Sequence, residues 1–137
     1  MSPNKPILLV EDDLVDQMTV KRSLREIKIS NRLVIANNGE EALFYLNDDK
    51  YQKPAFILLD MNMPKMNGLE FLKVIKKDDE LKNIPVIVLS TSKSDSDRID
   101  TFNLGVSGYM AKPVDYRKFV EVIRTIHMYW NLSELPG

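Results

Sequence analysis

The sequence predicts an α/β fold: a (βα)5 doubly wound, five-stranded parallel sheet with strand order 2-1-3-4-5. Three observations carry that expectation. Strand-length apolar runs alternate with longer segments of helical spacing, with no Pro/Gly/Ser-rich linker and no internal repeat between them, which is the pattern of parallel strands joined by crossover helices. The runs at 7–10, 56–59 and 86–89 are apolar throughout, as strands covered on both faces must be. Polar residues then stand at the ends of those runs: Glu11 and Asp12 after the first, Asp60 after the second, Ser90 after the third. Open parallel sheets collect their ligands outside the carboxyl ends of the strands.

Taken in order, Ile7-Leu8-Leu9-Val10 makes the first strand and runs into Glu11-Asp12-Asp13. The helix that follows carries Val15, Met18, Leu24 and Ile27 at helical spacing and is expected to lay them on the sheet. Leu33-Val34-Ile35-Ala36 is a shorter strand nearer an edge, followed by Ala42, Leu43 and Leu46 on a second helix. Phe56-Ile57-Leu58-Leu59 leads to Asp60, a turn-rich stretch through Gly68, and a third helix marked by Leu69, Leu72 and Ile75. After the strand Val86-Ile87-Val88-Leu89, the fourth helix spans 94–104. It opens with Ser94-x-x-Asp97, a capping-box variant, and stops before Gly105. The mixed run Tyr109-Met110-Ala111 is the other edge strand, and a fifth helix over 116–130 shows Phe119, Val122, Ile123, Ile126 and Trp130 on one face. Right-handed crossovers give the strand order stated above, with a switch point between strands one and three. Those two strands end at Glu11-Asp12 and at Asp60.

The 137 residues, 44% hydrophobic and 28% charged, suffice for one core and not for two. One domain over 7–127 is expected, with a tail at 1–6 and a helix end and tail at 128–137. Twenty acids against 19 bases leave a net charge of -1, so no overall basic field draws nucleic acid or an anionic membrane surface. The absence of cysteine removes disulfides, thiolate nucleophiles and thiolate metal sites, and fits a cytoplasmic setting. No apolar stretch approaches the ~20 residues of a spanning helix, and no signal-peptide core precedes Ile7.

Carboxylates crowded at one point repel each other and raise one another's pKa values unless a cation neutralises them. An all-oxygen site with few protein carboxylates suits Mg²⁺, which keeps several waters and shares a phosphate oxygen. Read singly, Glu11-Asp12-Asp13 is a solvated turn with a helix N-cap, Lys112 a surface lysine before a proline, and Ser90 the start of a Ser/Thr-rich loop. Together on four strand ends they form a joint signal: with a metal beside it, Asp60 can attack a phosphoryl group and form an aspartyl-phosphate. The chain has no Gly-Lys-Ser/Thr loop for a nucleotide, so the phosphodonor comes from elsewhere.

From Ile7 to about Ile126 these residues resemble the receiver domain of two-component response regulators, with the chemotaxis-type, flavodoxin-like fold. Val10-Glu11-Asp12-Asp13 resembles the family's acidic pocket, and Leu58-Leu59-Asp60-Met61-Asn62-Met63-Pro64 followed by Gly68 resembles its phosphoacceptor segment. The resemblance implies Asp60 as phosphoacceptor, Glu11 and Asp12 as the metal-side pair, and the backbone carbonyl of Asn62 completing the Mg²⁺ shell. It further implies Ser90 as the switch hydroxyl, Tyr109 as the switch aromatic, and Lys112-Pro113 as the phosphoryl-binding lysine followed by a cis peptide bond. The chain is similar to stand-alone receivers, and its end, Trp130-Asn131-Leu132-Ser133-Glu134-Leu135-Pro136, to that of small regulators paired with phytochrome-type histidine kinases. Such a protein takes phosphate from a sensor kinase and signals to a downstream protein target.

Two other classes compete with this one. A Mg²⁺-dependent phosphohydrolase of the haloacid-dehalogenase type also uses an Asp after an apolar strand, but wants a second acid two residues on, where Asn62 stands. A phosphorylation-independent binding module would leave Lys112 and Ser90 without a role. The lone histidine, His127, excludes a relay through a second histidine in this chain, and Met61, Met63 and Met66 are expected as a mobile rim over the site. Met128, Tyr129, Trp130, Leu132, Leu135 and Pro136 extend an apolar series past the last helix, which predicts a tail folded back on the domain, a homodimer or a kinase contact.

Overall fold

The computed structural model describes residues 5–63, 65–90, 95–112 and 116–133, and at 95–97, 116 and 126–133 it describes the backbone alone. Its elements are β1 (Ile7–Val10), α1 (Leu14–Glu26), β2 (Leu33–Ala36), α2 (Gly39–Leu46), β3 (Phe56–Asp60), α3 (Gly68–Lys76), β4 (Val86–Ser90), α4 (Asp95–Asn103), β5 (Gly108–Ala111) and α5 (Tyr116–Ser133). The sheet has five strands in the order β2-β1-β3-β4-β5, and every pairing is parallel, as the sequence predicts.

Because successive strand residues point to opposite faces, the central strands feed two cores. Leu8, Val10, Ile57, Leu59, Val86 and Val88 pack on one side with Phe71, Leu72 and Ile75 of α3 and Ala42 and Leu46 of α2. Ile7, Leu9, Phe56, Leu58 and Ile87 pack on the other with Val20 and Leu24 of α1 and Phe119 and Ile123 of α5. β1, β3 and β4 are buried along their whole length, whereas β2 and β5 are largely half-buried, in keeping with their edge positions. Among the described residues no helix is long and apolar enough to cross a membrane.

Two expectations about packing fail. Val15 and Met18 do not lie on the sheet: they are 70% and 67% exposed, beside Leu14 at 72%. The buried stripe of α1 is instead Gln17, Val20, Ser23 and Leu24. Gln17 fixes that phase, since its side-chain amide donates to the Glu11 carbonyl at 2.7 Å, and at ~100° per residue Val15 and Met18 then turn outward. Nor do the methionines form a mobile rim. Met63 is buried in the core, and Met61 and Met66 pack against it. Ser94, Pro64, Pro113 and residues 134–137 lie outside the described residues, as do the side chains of Ile126, His127, Met128, Tyr129, Trp130 and Leu132. The capping variant at Ser94, the peptide bond before Pro113 and the C-terminal contact surface therefore fall there too.

The register does the work of assembly. Val10 pairs with Leu59, so Glu11 comes level with Asp60. Asp60 pairs with Leu89, and Ser90 with Ala111. The Lys112 N–H then donates to the Ser90 carbonyl at 2.7 Å, which carries the ladder one residue past β5.

Candidate functional site

Glu11 leaves β1 with its backbone N–H donating to the Ala36 carbonyl at 2.9 Å, and its side chain is wholly buried. Its Oε2 accepts the N–H of Asp13 at 3.2 Å. Asp13 is the N-cap of α1, as its place in the sequence suggests: its Oδ1 accepts the Asp16 N–H at 3.0 Å. Asp12, between them, is exposed and lines the cleft. At the end of β3, Asp60 is 1% exposed, and its Oδ1 accepts the N–H of Asn62 at 3.1 Å. Behind it the chain is locked, with Met61 N–H on the Leu89 carbonyl and Gly68 N–H on the Met61 carbonyl.

Lys112 is the cation of the site. Its Nζ lies 2.6 Å from Glu11 Oε1, 2.9 Å from Asp16 Oδ2 and 3.3 Å from Asp60 Oδ1. Burial alone would lower its pKa, but hydrogen bonding to Glu11 and Asp16, with the charges of Asp60 and Glu11, outweighs burial and holds the ammonium above the ordinary lysine range. Glu11 responds oppositely. Burial pushes its carboxyl up to about 7; Lys112 draws it down, and Asp60 pushes it up again.

Glu11, Asp12 and Asp60 each offer a carboxylate oxygen, and the three oxygens lie within 4.8 Å of one another. Glu11 Oε1 is buried, with the Lys112 ammonium 2.6 Å away. These three residues fit a hard divalent cation: the donors are all oxygen, the mutual repulsion needs positive charge, and Asp12 lies open to an entering ion. The cleft they share, of about 820 Å³, also takes in Asn62, Asp16 and Lys112.

A proton on Glu11 competes with any such cation, because a carboxylate must be ionised to ligate. Divalent-cation affinity is therefore expected to rise as pH rises through about 7. Without metal the sign reverses for stability: the folded state holds the Glu11 proton above the ordinary value of 4.5, so this carboxyl makes stability fall as pH climbs from 4.5 to about 7. Mg²⁺ titration calorimetry at about pH 6 and about pH 8 checks the first statement; equal affinities at the two would refute it.

Ser90 is buried at the end of β4. Tyr109, half-buried on β5, shares a small pocket with Ser90, Asn62 and the buried Thr101. The Arg98 guanidinium sits 5.3 Å from its ring centroid and the Phe102 ring 6.3 Å away. The structure thus brings Glu11, Asp12, Asp60, Asn62 and Lys112 to one cleft and Ser90 and Tyr109 to the pocket beside it. Sequence reasoning missed Asp16 and Gln17, which pin Lys112 and the Glu11 carbonyl. Their signal was positional: both fall in the first turn of α1, next to strand ends already crowded with acids.

The family model for "Response regulator receiver domain" matches residues 7–124. The response regulator Rcp1 of Synechocystis sp. is 36% identical over 133 residues, covering 94% of this chain and 90% of its own. Among solved structures, that of the phosphorylated cyanobacterial phytochrome response regulator RcpA superposes with a TM-score of 0.81 at 34% identity, covering 98% of this chain and 99% of the other. The Mn²⁺-bound form of Rcp1 gives 0.80 at 34% identity over 97% of each chain.

Proposed function

The chain belongs to the response regulator receiver domain family, and we propose that it accepts a phosphoryl group on Asp60 from a sensor histidine kinase and passes the signal on through a change at Ser90 and Tyr109. Members of this family are phosphoacceptors in signalling rather than turnover enzymes. One observation supports the reading above the others: Asp60 is a buried carboxylate with one oxygen tethered to Asn62 N–H and Lys112, at a cleft whose other wall is the Glu11-Asp12 acid pair.

In the proposed transfer, a carboxylate oxygen of Asp60 attacks the phosphorus of a phosphohistidine. The P–O bond forms as the P–N bond breaks, and the electron pair leaves with the imidazole nitrogen, which takes a proton from solvent. Lys112 donates to a phosphoryl oxygen. Glu11, Asp12, Asp60 and the Asn62 carbonyl would hold Mg²⁺, which when bound offsets the charge on the phosphoryl oxygens. The Mn²⁺-bound and phosphorylated relatives support both halves of this reading. Their phytochrome association nominates a phytochrome-type kinase, met in the cytoplasm. The exposed Leu14, Val15 and Met18 beside the cleft give such a kinase an apolar surface to dock on.

Beryllofluoride with Mg²⁺ tests the acceptor. A stable adduct at Asp60 with negligible turnover of generic phosphate esters is expected; turnover without an adduct would favour a phosphohydrolase. The switch has its own test. Added phosphoryl charge, about -1.5 to -2, draws Ser90 and Lys112 inward and frees the shared pocket for the Tyr109 ring. Ser90→Ala is expected to form the adduct with the Tyr109 ring resonances unmoved. A Tyr109 response equal to the parent's would show that the relay runs elsewhere.

A further inference from the structure

Asp16 is, with the N-cap Asp13, one of two further carboxylates lining the cleft outside the three that can share a cation. An acid at its place in the first helical turn ordinarily closes a capping box by reaching back to the N-cap N–H. Here that N–H, on Asp13, already donates to Glu11 Oε2. The Asp16 carboxylate is released and turns to Lys112, with Oδ2 2.9 Å from Nζ.

An ammonium has three N–H donors, and Lys112 faces three carboxylates at 2.6, 2.9 and 3.3 Å. Glu11 cannot release it cheaply, since a wholly buried carboxylate would lose its counter-charge. The Asp60 contact is the longest of the three, and phosphorylation itself alters it by moving charge from the carboxylate to the phosphoryl oxygens. Asp16, with a side chain 22% exposed, is not altered by the transfer. It draws the ammonium toward α1 and stands as an extra negative charge beside the incoming anion. We propose that Asp16 is a positioning residue that competes with the Asp60-bound phosphoryl group for Lys112 and thereby shortens the life of the phosphorylated state; this rests on the reading of Asp60 as acceptor.

The two equilibria then respond to Asp16 with opposite sign. Its charge helps attract a bare cation and opposes a bound phosphoryl anion. For Asp16→Asn, beryllofluoride affinity at saturating Mg²⁺ is expected to increase roughly three- to tenfold, and loss of the phosphoryl group to slow by a similar factor. Binding of Mg²⁺ alone is expected to weaken. Asp16→Glu, which keeps the charge, should return both toward the parent, and Asp16→Ser, which removes it with a different shape, should follow Asp16→Asn. Unchanged or weaker beryllofluoride binding, or both affinities moving the same way, would overturn the proposal in favour of a structural role. A parent protein that forms no beryllofluoride adduct would instead overturn the acceptor reading beneath it.

Discussion

Asp60→Asn is expected to abolish phosphoryl acceptance, from acetyl phosphate and from a kinase alike, while the protein stays folded. The amide is nearly isosteric, and its carbonyl oxygen can go on accepting from the Asn62 N–H and the Lys112 ammonium, which now meet Asp60 Oδ1 at 3.1 and 3.3 Å. What disappears is the nucleophile. The substitution also removes a charge that pushes the Glu11 carboxyl up, so the metal-free variant should unfold at a temperature equal to or above the parent's. Radiolabel transfer and thermal unfolding read the two parts separately. A variant that still takes label would move the acceptor elsewhere, with Asp12 and Asp13 the nearest candidates.

Gly68→Ala should damage the fold and the site together. A Cβ at this position would lie 2.6 Å from the Asp60 carbonyl oxygen and 2.7 Å from Met61 Cα. Both are backbone atoms of the segment that aims the Asp60 side chain, and neither can yield as a side-chain tip does. Relief requires α3 to back away from the end of β3, against the buried Phe71 and Leu72 that fasten it. Overpacking of this kind costs about 1–3 kcal/mol, and the upper end is expected here because two of the three obstructing atoms, the third being Met61 Sδ, are main chain. Beryllofluoride affinity should fall with it. Gly105→Ala is the control: nothing lies within 4 Å of its Cβ, and its φ of +79° predicts a loss of only about 1 kcal/mol. Denaturant unfolding of the two variants decides the matter; equal losses would mean that the contact of Gly68 with Asp60 is not the constraint.

Glu11, Asp60 and Lys112 were legible in the sequence because a topological rule does the folding. Once apolar runs and helical segments alternate, the strand order follows, and residues far apart in the chain become neighbours at the switch point. The phase of α1 was not legible. Val15 and Met18 are apolar at helical spacing, yet they face solvent, because Gln17 finds a backbone carbonyl beneath the helix that no hydropathy pattern reveals. Asp16 was hidden for a related reason: an acid in the first turn of a helix has a sufficient local explanation in capping and in the helix dipole. In the fold the N-cap N–H is already satisfied by Glu11. The methionines after Asp60 look like loop residues in sequence, but the loop folds back and Met63 enters the core.

The most direct measurement is phosphotransfer from the phosphohistidine of a sensor kinase in the presence of Mg²⁺, followed by borohydride reduction of the acyl phosphate and peptide mass analysis. The account predicts homoserine at position 60 as the sole reduced residue, and its loss when Mg²⁺ is chelated. Reduction at Asp12, Asp13 or Asp16, or undiminished labelling of Asp60 without the metal, would contradict it.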